Sequence, residues 1–169
     1  MKRRLLFAAN WKMHLGPVEA RVYAARFRER FTPRDDRETW FFPPAVSLEA
    51  AAEAFRDLPG TLVGAQDIHW EPKGAFTGAI SGPLARAAGA AAALIGHSER
   101  RHVFGETEPD TARKLRAALR SDLIPVLCVG EQLEQRERGE TEAVVRRQLM
   151  AAIEGLGAGG QELGRLVVA

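Results

Sequence analysis

Residues 91–131 read AAALIGHSERRHVFGETEPDTARKLRAALRSDLIPVLCVGE. The stretch opens with the apolar run Ala91–Ile95, carries a polar-apolar helical pattern over Pro109–Arg120, and returns to an apolar run at Ile124–Val129. Pro109 suits the first turn of a helix, where its missing N–H costs nothing. Both runs are apolar at nearly every position instead of every second one, the pattern of strands covered on both faces. Strand, helix, strand in this order is a βαβ unit with parallel strands.

The same alternation extends in both directions. Further apolar runs lie at Leu5–Ala9, Thr39–Phe42, Thr61–Gly64 and Leu166–Ala169, with helical stretches at Pro17–Arg30, Leu48–Arg56, Pro83–Ala88 and Glu140–Ile153. Ser47 stands where a side chain caps the helix beginning at Leu48. In the last stretch Val144, Val145, Leu149, Ala152 and Ile153 fall on one stripe. The Gly-rich piece Gly155–Gly160 reads as a connection to the final strand. No composition break divides the chain, so residues 1–169 are expected to form one (βα)n domain with about six strands in a parallel sheet.

Composition narrows the functional classes. The 169 residues are 46% hydrophobic and 27% charged, which excludes disorder, collagen and coiled coil as overall descriptions. The 24 basic residues against 22 acidic ones leave a net charge of +2, too small an imbalance to argue for nucleic acid. A single cysteine rules out an intrachain disulfide and points to a reducing compartment. The apolar run after Met1-Lys2-Arg3-Arg4 is too short for a signal peptide, and no run is long enough to span a membrane. A soluble, cytoplasmic protein is expected.

Chemistry in a parallel βα protein sits just past the carboxyl ends of the strands. Asn10-Trp11-Lys12-Met13 follows the first strand: either an amide and a cation for an anionic substrate, or a turn asparagine and a surface lysine. Gly96-His97-Ser98-Glu99-Arg100-Arg101 follows the fourth, where a histidine beside a helix start is placed as acid or electrophile; Glu99 and Arg100 also read as a structural ion pair. Cys128 lies inside an apolar strand and reads as a buried thiol, and Glu131 as a helix cap or a partner for an arginine. Gln66–Ser81 is long for a βα connection and carries an exposed Phe76, the mark of a site lid or partner contact. His14, His69 and His102 have no neighbours at ligand spacing, so no metal is assigned, and no nucleotide fingerprint is present; no cofactor is expected.

Taken together these segments resemble triosephosphate isomerase. The resemblance rests on Asn10–Met13, Gly64-Ala65-Gln66-Asp67, Gly74-Ala75-Phe76-Thr77-Gly78, Ile95–Arg101 and Pro125–Glu131, in order over essentially the whole chain. It implies the (β/α)8 barrel, here incomplete, and interconversion of dihydroxyacetone phosphate and glyceraldehyde 3-phosphate in glycolysis and gluconeogenesis. It further implies that Asn10 and Lys12 contact substrate, that His97 is a neutral electrophile, and that Glu99 lies beside Lys12. Phe76 and Thr77 would reach a neighbouring subunit of a homodimer near its Asn10 and Lys12.

Departures accompany the match. Ala79 stands where the family has a Glu that pairs with the arginine at Arg100, and Asp67 where an Asn is usual. A barrel of this kind takes ~250 residues, and the sequence stops at Ala169, on the sixth strand. The catalytic Glu of a Tyr-Glu-Pro-Val-Trp segment, the mobile lid and the phosphate loops would follow. The 169 residues alone are therefore expected to be inactive and prone to associate; the alternative is a non-catalytic remnant serving as scaffold or binding partner.

Overall fold

A computed structural model describes residues 4–154, 156 and 163–169. Six strands, β1 (Leu5–Asn10), β2 (Arg37–Phe42), β3 (Thr61–Ala65), β4 (Ala92–Ile95), β5 (Ile124–Leu127) and β6 (Val167–Val168), pair in parallel in sequence order. The expected α/β fold with a parallel sheet is what forms. β1 and β6 are its edges within the described residues. The helices are α1 (Pro17–Arg30), α2 (Leu48–Ala54), α3 (Gly82–Ala87), α4 (Ser98–His102), α5 (Glu108–Arg120), α6 (Leu133–Glu137) and α7 (Thr141–Ile153). The short helices α4 and α6 lie just past the ends of β4 and β5.

Two apolar layers follow from strand alternation. One face of the sheet, through Phe41, Val63, Ala93, Ile95 and Leu127, packs on Ala20, Ala24, Leu48, Ala51, Leu115 and Ala118 of the helices. Alanine dominates the helical side, which lets α1, α2 and α5 lie close to the strands. Phe27, Phe41 and Phe55 make an aromatic junction among α1, β2 and the end of α2, with Phe41 and Phe55 stacked at 4.2 Å. The opposite face gathers Trp40, Phe42, Ala92, Leu94 and Val126 into a second, smaller core. Gly64 is required there: a Cβ would stand 2.4 Å from the Phe42 ring and 2.9 Å from the Ala92 carbonyl.

Local signals set the helix ends. At α1 the Gly16 N–H donates to the Glu19 carboxylate at 2.7 Å, with Pro17 in the first turn. At α5 Thr107 and Asp110 cap each other reciprocally, so the helix starts one residue before Pro109. Ser47 is not the side-chain cap expected for α2. A 3-10 turn, Ala45–Ser47, precedes that helix, and the buried Ser47 hydroxyl donates instead to the Leu15 carbonyl at 2.7 Å. The stripe on α7 is centred differently too: Val144, Gln148 and Ala152 are buried, one polar residue among them. Most of Gly155–Gly160 falls outside the described residues.

Candidate active site

The ends of β1 and β4 bring the expected polar residues together. Lys12 has φ +53°, a left-handed conformation that costs a non-glycine residue roughly 1–3 kcal/mol. Three contacts hold it. Its N–H donates to Asn10 Oδ1 at 2.9 Å, its carbonyl accepts from Gln66 Nε2 at 2.8 Å, and Trp11 beside it is buried against Tyr23 and Phe41. Gln66 Nε2 also donates to the Phe42 carbonyl, tying the first, second and third strand ends together. The turn thus presents the Lys12 ammonium above the sheet.

Lys12 Nζ donates to Glu99 Oε1 at 2.7 Å, and Glu99 Oε2 lies 3.5 Å from His97 Nδ1. The Lys12 hydrogen bond holds the Glu99 carboxyl below the ordinary glutamate range, outweighing the opposing effect of desolvation. His97 caps α4: its Nδ1 accepts the Glu99 N–H at 3.3 Å. An Nδ1 that accepts a hydrogen bond carries no proton, so the neutral ring has its proton on Nε2. That leaves Nε2–H as the donor available to a substrate oxygen. His97 also lines a cavity of ≈ 480 Å³ with Ser98, Gly130, Glu131 and Leu133 between the ends of β4 and β5.

Several supporting residues were not singled out by the sequence. Arg101 donates to the Gly96 carbonyl at 2.7 Å and the Cys128 carbonyl at 3.1 Å, bridging the two strand ends. Gly96 has φ +66°, and a Cβ there would meet the Arg101 guanidinium at 2.6 Å. Gln148 accepts from the Gly130 N–H at 2.8 Å and donates to its carbonyl at 3.0 Å, clamping the turn after β5. A polar residue inside the apolar stripe of α7 was the available signal. Burial pushes the Cys128 thiol up to about 11, which fits the structural reading. Glu131 accepts from Arg136 at 2.6 Å and from Thr141 at 3.2 Å, as an arginine partner was expected to do.

Phe76 and Thr77 lie away from this group, on the exposed loop between β3 and α3. The loop packs on itself, with Phe76 against His69 at 4.1 Å and His69 against Trp70 at 4.3 Å. At its base sits a buried charge cluster. Lys114 Nζ is 2.5 Å from both Asp67 Oδ1 and Glu106 Oε2, and Arg100 is 3.3 Å from Asp67 and 3.4 Å from Glu106. Arg100 therefore has two counter-charges within its own chain, Glu106 and Asp67, the latter standing where the resemblance leads one to expect an Asn. Burial outweighs these cations at Asp67 and raises its carboxyl above the ordinary range.

The sequence model of the family described as triosephosphate isomerase matches residues 5–169. A triosephosphate isomerase of Synechococcus sp. (strain JA-3-3Ab) is 43% identical over 172 residues, which cover 99% of this chain and 65% of the relative. One from Symbiobacterium thermophilum is 46% identical over 156 residues, covering 91% of this chain and 60% of the relative. The crystal structure of triosephosphate isomerase from Bartonella henselae superposes with a TM-score of 0.78 at 30% identity, over 98% of this chain and 65% of that one. The chain thus spans less than two-thirds of the length of these relatives.

Proposed function

The chain belongs to the triosephosphate isomerase family, and on that premise we propose that Asn10, Lys12, His97 and Glu99 form the electrophilic half of an aldose–ketose isomerase site. The observation that carries the reading is the Lys12–Glu99–His97 chain, with its 2.7 Å ion pair and its Nδ1-accepting histidine. The substrate class is a triose phosphate. The reaction abstracts a proton beside a carbonyl, passes through an enediolate, and returns the proton to the neighbouring carbon. Lys12 offsets the negative charge of the phosphate and the enediolate. His97 Nε2–H donates to the carbonyl oxygen as charge develops there; a neutral histidine in this role is the established pattern for this enzyme. Asn10 adds an amide contact and holds the Lys12 turn.

Proton abstraction from carbon needs a base, and none of Asn10, Lys12, His97 and Glu99 is placed for it in this reading. General-base catalysis contributes 10²–10⁴-fold. The 169 residues alone are accordingly inactive or nearly so, and act within one α/β domain whose further strands supply the base and the phosphate loops. The site serves glycolysis and gluconeogenesis in the cytoplasm, as a homodimer using Phe76 and Thr77. No described helix is long and apolar enough to cross a membrane.

The test measures triose phosphate isomerisation by the 169-residue chain, alone and mixed with the carboxyl-terminal third of a full-length relative. The expected result is a rate at least ~10³-fold below the relative for the chain alone, a rise on mixing, and loss of that rise in His97→Gln. Turnover within tenfold of the relative by the chain alone, or a rise indifferent to His97→Gln, overturns the reading. A chain that binds the substrate but never turns it over on mixing is the scaffold instead.

A further inference from the structure

On the outer side of α5, away from the Lys12–His97 site, Arg113, Arg116 and Arg120 line one cleft with Trp70 and Glu71. The spacing of three and then four residues puts the three side chains on a single helical stripe. The cleft has a volume of ≈ 340 Å³, the scale of a small-molecule pocket. It shares no lining residue with the cavity beside His97.

What distinguishes this cleft from an ordinary charged surface is how the guanidinium groups are held. Arg120 donates to the Trp70 carbonyl at 3.3 Å, and Arg116 to the Glu154 carbonyl at 3.0 Å. The Arg113 guanidinium lies over the Trp70 ring, 5.3 Å from its centroid. These partners orient the side chains without neutralising them. Among the described residues the sole carboxylate within 4 Å of any of the three is Asp110, 3.7 Å from Arg113. Elsewhere the arginines are mostly spent on acids, as in Arg136–Glu131, Arg138–Glu140, Arg147–Glu108 and Arg165–Asp122. Each guanidinium carries five N–H donors in a planar fork suited to the oxygens of a phosphoryl group. A carbonyl uses one or two of them, and the remainder are free for a ligand.

We infer that Arg113, Arg116 and Arg120 with Trp70 form a binding site for a compact phosphoryl anion carrying at least two charges. Three oriented cations against one acid within the cleft, the exposed Glu71, with Asp110 near Arg113 alone, favour a dianion or higher over a monoanion. The Trp70 ring is already occupied by His69 and Arg113, so the phosphoryl groups are what the site reads, and the base of a nucleotide would add nothing. A bound anion would tie the loop from Gln66 to Ser81, through Trp70, to α5.

The test is calorimetric titration of the full 169-residue chain with inorganic pyrophosphate at 0.15 M NaCl. Binding is expected to weaken at least tenfold in Arg116→Gln/Arg120→Gln, to tighten twofold or more in Glu71→Gln, and to persist in Lys12→Ala. ADP is expected to bind within threefold of pyrophosphate. No binding, binding lost in Lys12→Ala, binding unchanged by the arginine pair, or ADP binding without pyrophosphate binding each overturns the inference. Should the double variant fail to fold, Glu71→Gln and Arg113→Gln decide it, by tightening and weakening respectively.

Discussion

Lys12 and Glu99, 87 positions apart in the chain, meet at 2.7 Å across the mouth of the parallel sheet. The first lies past the end of β1 and the second in the first turn of α4, so the pair exists only when β1 to β4 are assembled in order. Its partners make it a geometric gauge of the site. Glu99 holds the lysine through its carboxylate and the histidine through its backbone N–H.

The first prediction concerns this carboxylate. Lys12 depresses the Glu99 pKa in the folded state. A depressed acid contributes its stabilisation above its unfolded pKa and loses it as pH falls through the folded one. Carboxyl ¹³C NMR is expected to show Glu99 titrating below an ordinary glutamate, and returning to the ordinary range in Lys12→Ala. A Glu99 titration unchanged by that substitution contradicts the pairing. Both side chains are about half exposed, so the melting temperature is expected to move little.

Gly64 carries the second. Its missing side chain lets Phe42 and the Ala92 carbonyl close over β3. Phe42 is fully buried and has nowhere to swing. Gly64→Ala is therefore expected to destabilise the chain by about 1–3 kcal/mol through overpacking, read as a lower denaturation midpoint in urea. An unchanged midpoint would show that the smaller core has slack.

The fold was legible in the sequence where physics is local and repeated. Strands of a parallel sheet are apolar nearly throughout, which exposed all six runs, although β1 turns out largely exposed and the enclosure expected from the pattern holds best for β4 and β5. The five helices of six or more residues announced themselves by periodicity and by Pro17, Pro83 and Pro109. Helices α4 and α6, of five residues each, are too short to show a period. Ser47 misled because a hydroxyl before a helix satisfies the capping pattern whether it bonds the helix or, as here, the carbonyl of Leu15. The Lys12–Glu99–His97 grouping was expected from resemblance to a family, since no spacing rule joins residues so far apart. The partners of Lys114 and Gln148 were invisible for the same reason: both sit on faces whose other residues are apolar, and a charge there acquires meaning only once Asp67, Glu106 and Gly130 arrive from other elements.

That buried cluster yields the third prediction. Arg100 and Lys114 face Asp67 and Glu106, two charges against two, with Lys114 and Glu106 almost wholly buried. Glu106 Oε1 already lacks a hydrogen-bond partner. Lys114→Met leaves two acids with one cation, and breaking a buried pair from one side costs about 3–5 kcal/mol. Adding Glu106→Leu is expected to recover much of that loss, because the orphaned charge goes with it. Urea denaturation of the single and double variants measures both. A loss under about 1 kcal/mol for Lys114→Met would mean that water screens the cluster.

The last prediction concerns the edges of the sheet. Leu5 and Phe7 on β1 are 57% and 51% exposed, and Val168 on β6 is 49% exposed. Large apolar side chains on strands paired along one side only, β1 with β2 and β6 with β5, offer both backbone hydrogen bonds and hydrophobic surface to another chain. The purified 169-residue chain is accordingly expected to scatter light as folded, associated species heavier than 18.5 kDa. Mixing with the carboxyl-terminal third of a full-length relative, whose strands would pair with β1 and β6, is expected to dissolve these species into a complex with a sharp transition. The double variant Leu5→Lys/Phe7→Lys tests the mechanism separately, since charge on an edge strand opposes pairing: it is expected to lower the scattered mass and at the same time to weaken the complex. A chain that runs as a single 18.5 kDa species and unfolds cooperatively by itself would show that the two edges are satisfied internally, and the reading of an open sheet awaiting further strands would have to be given up.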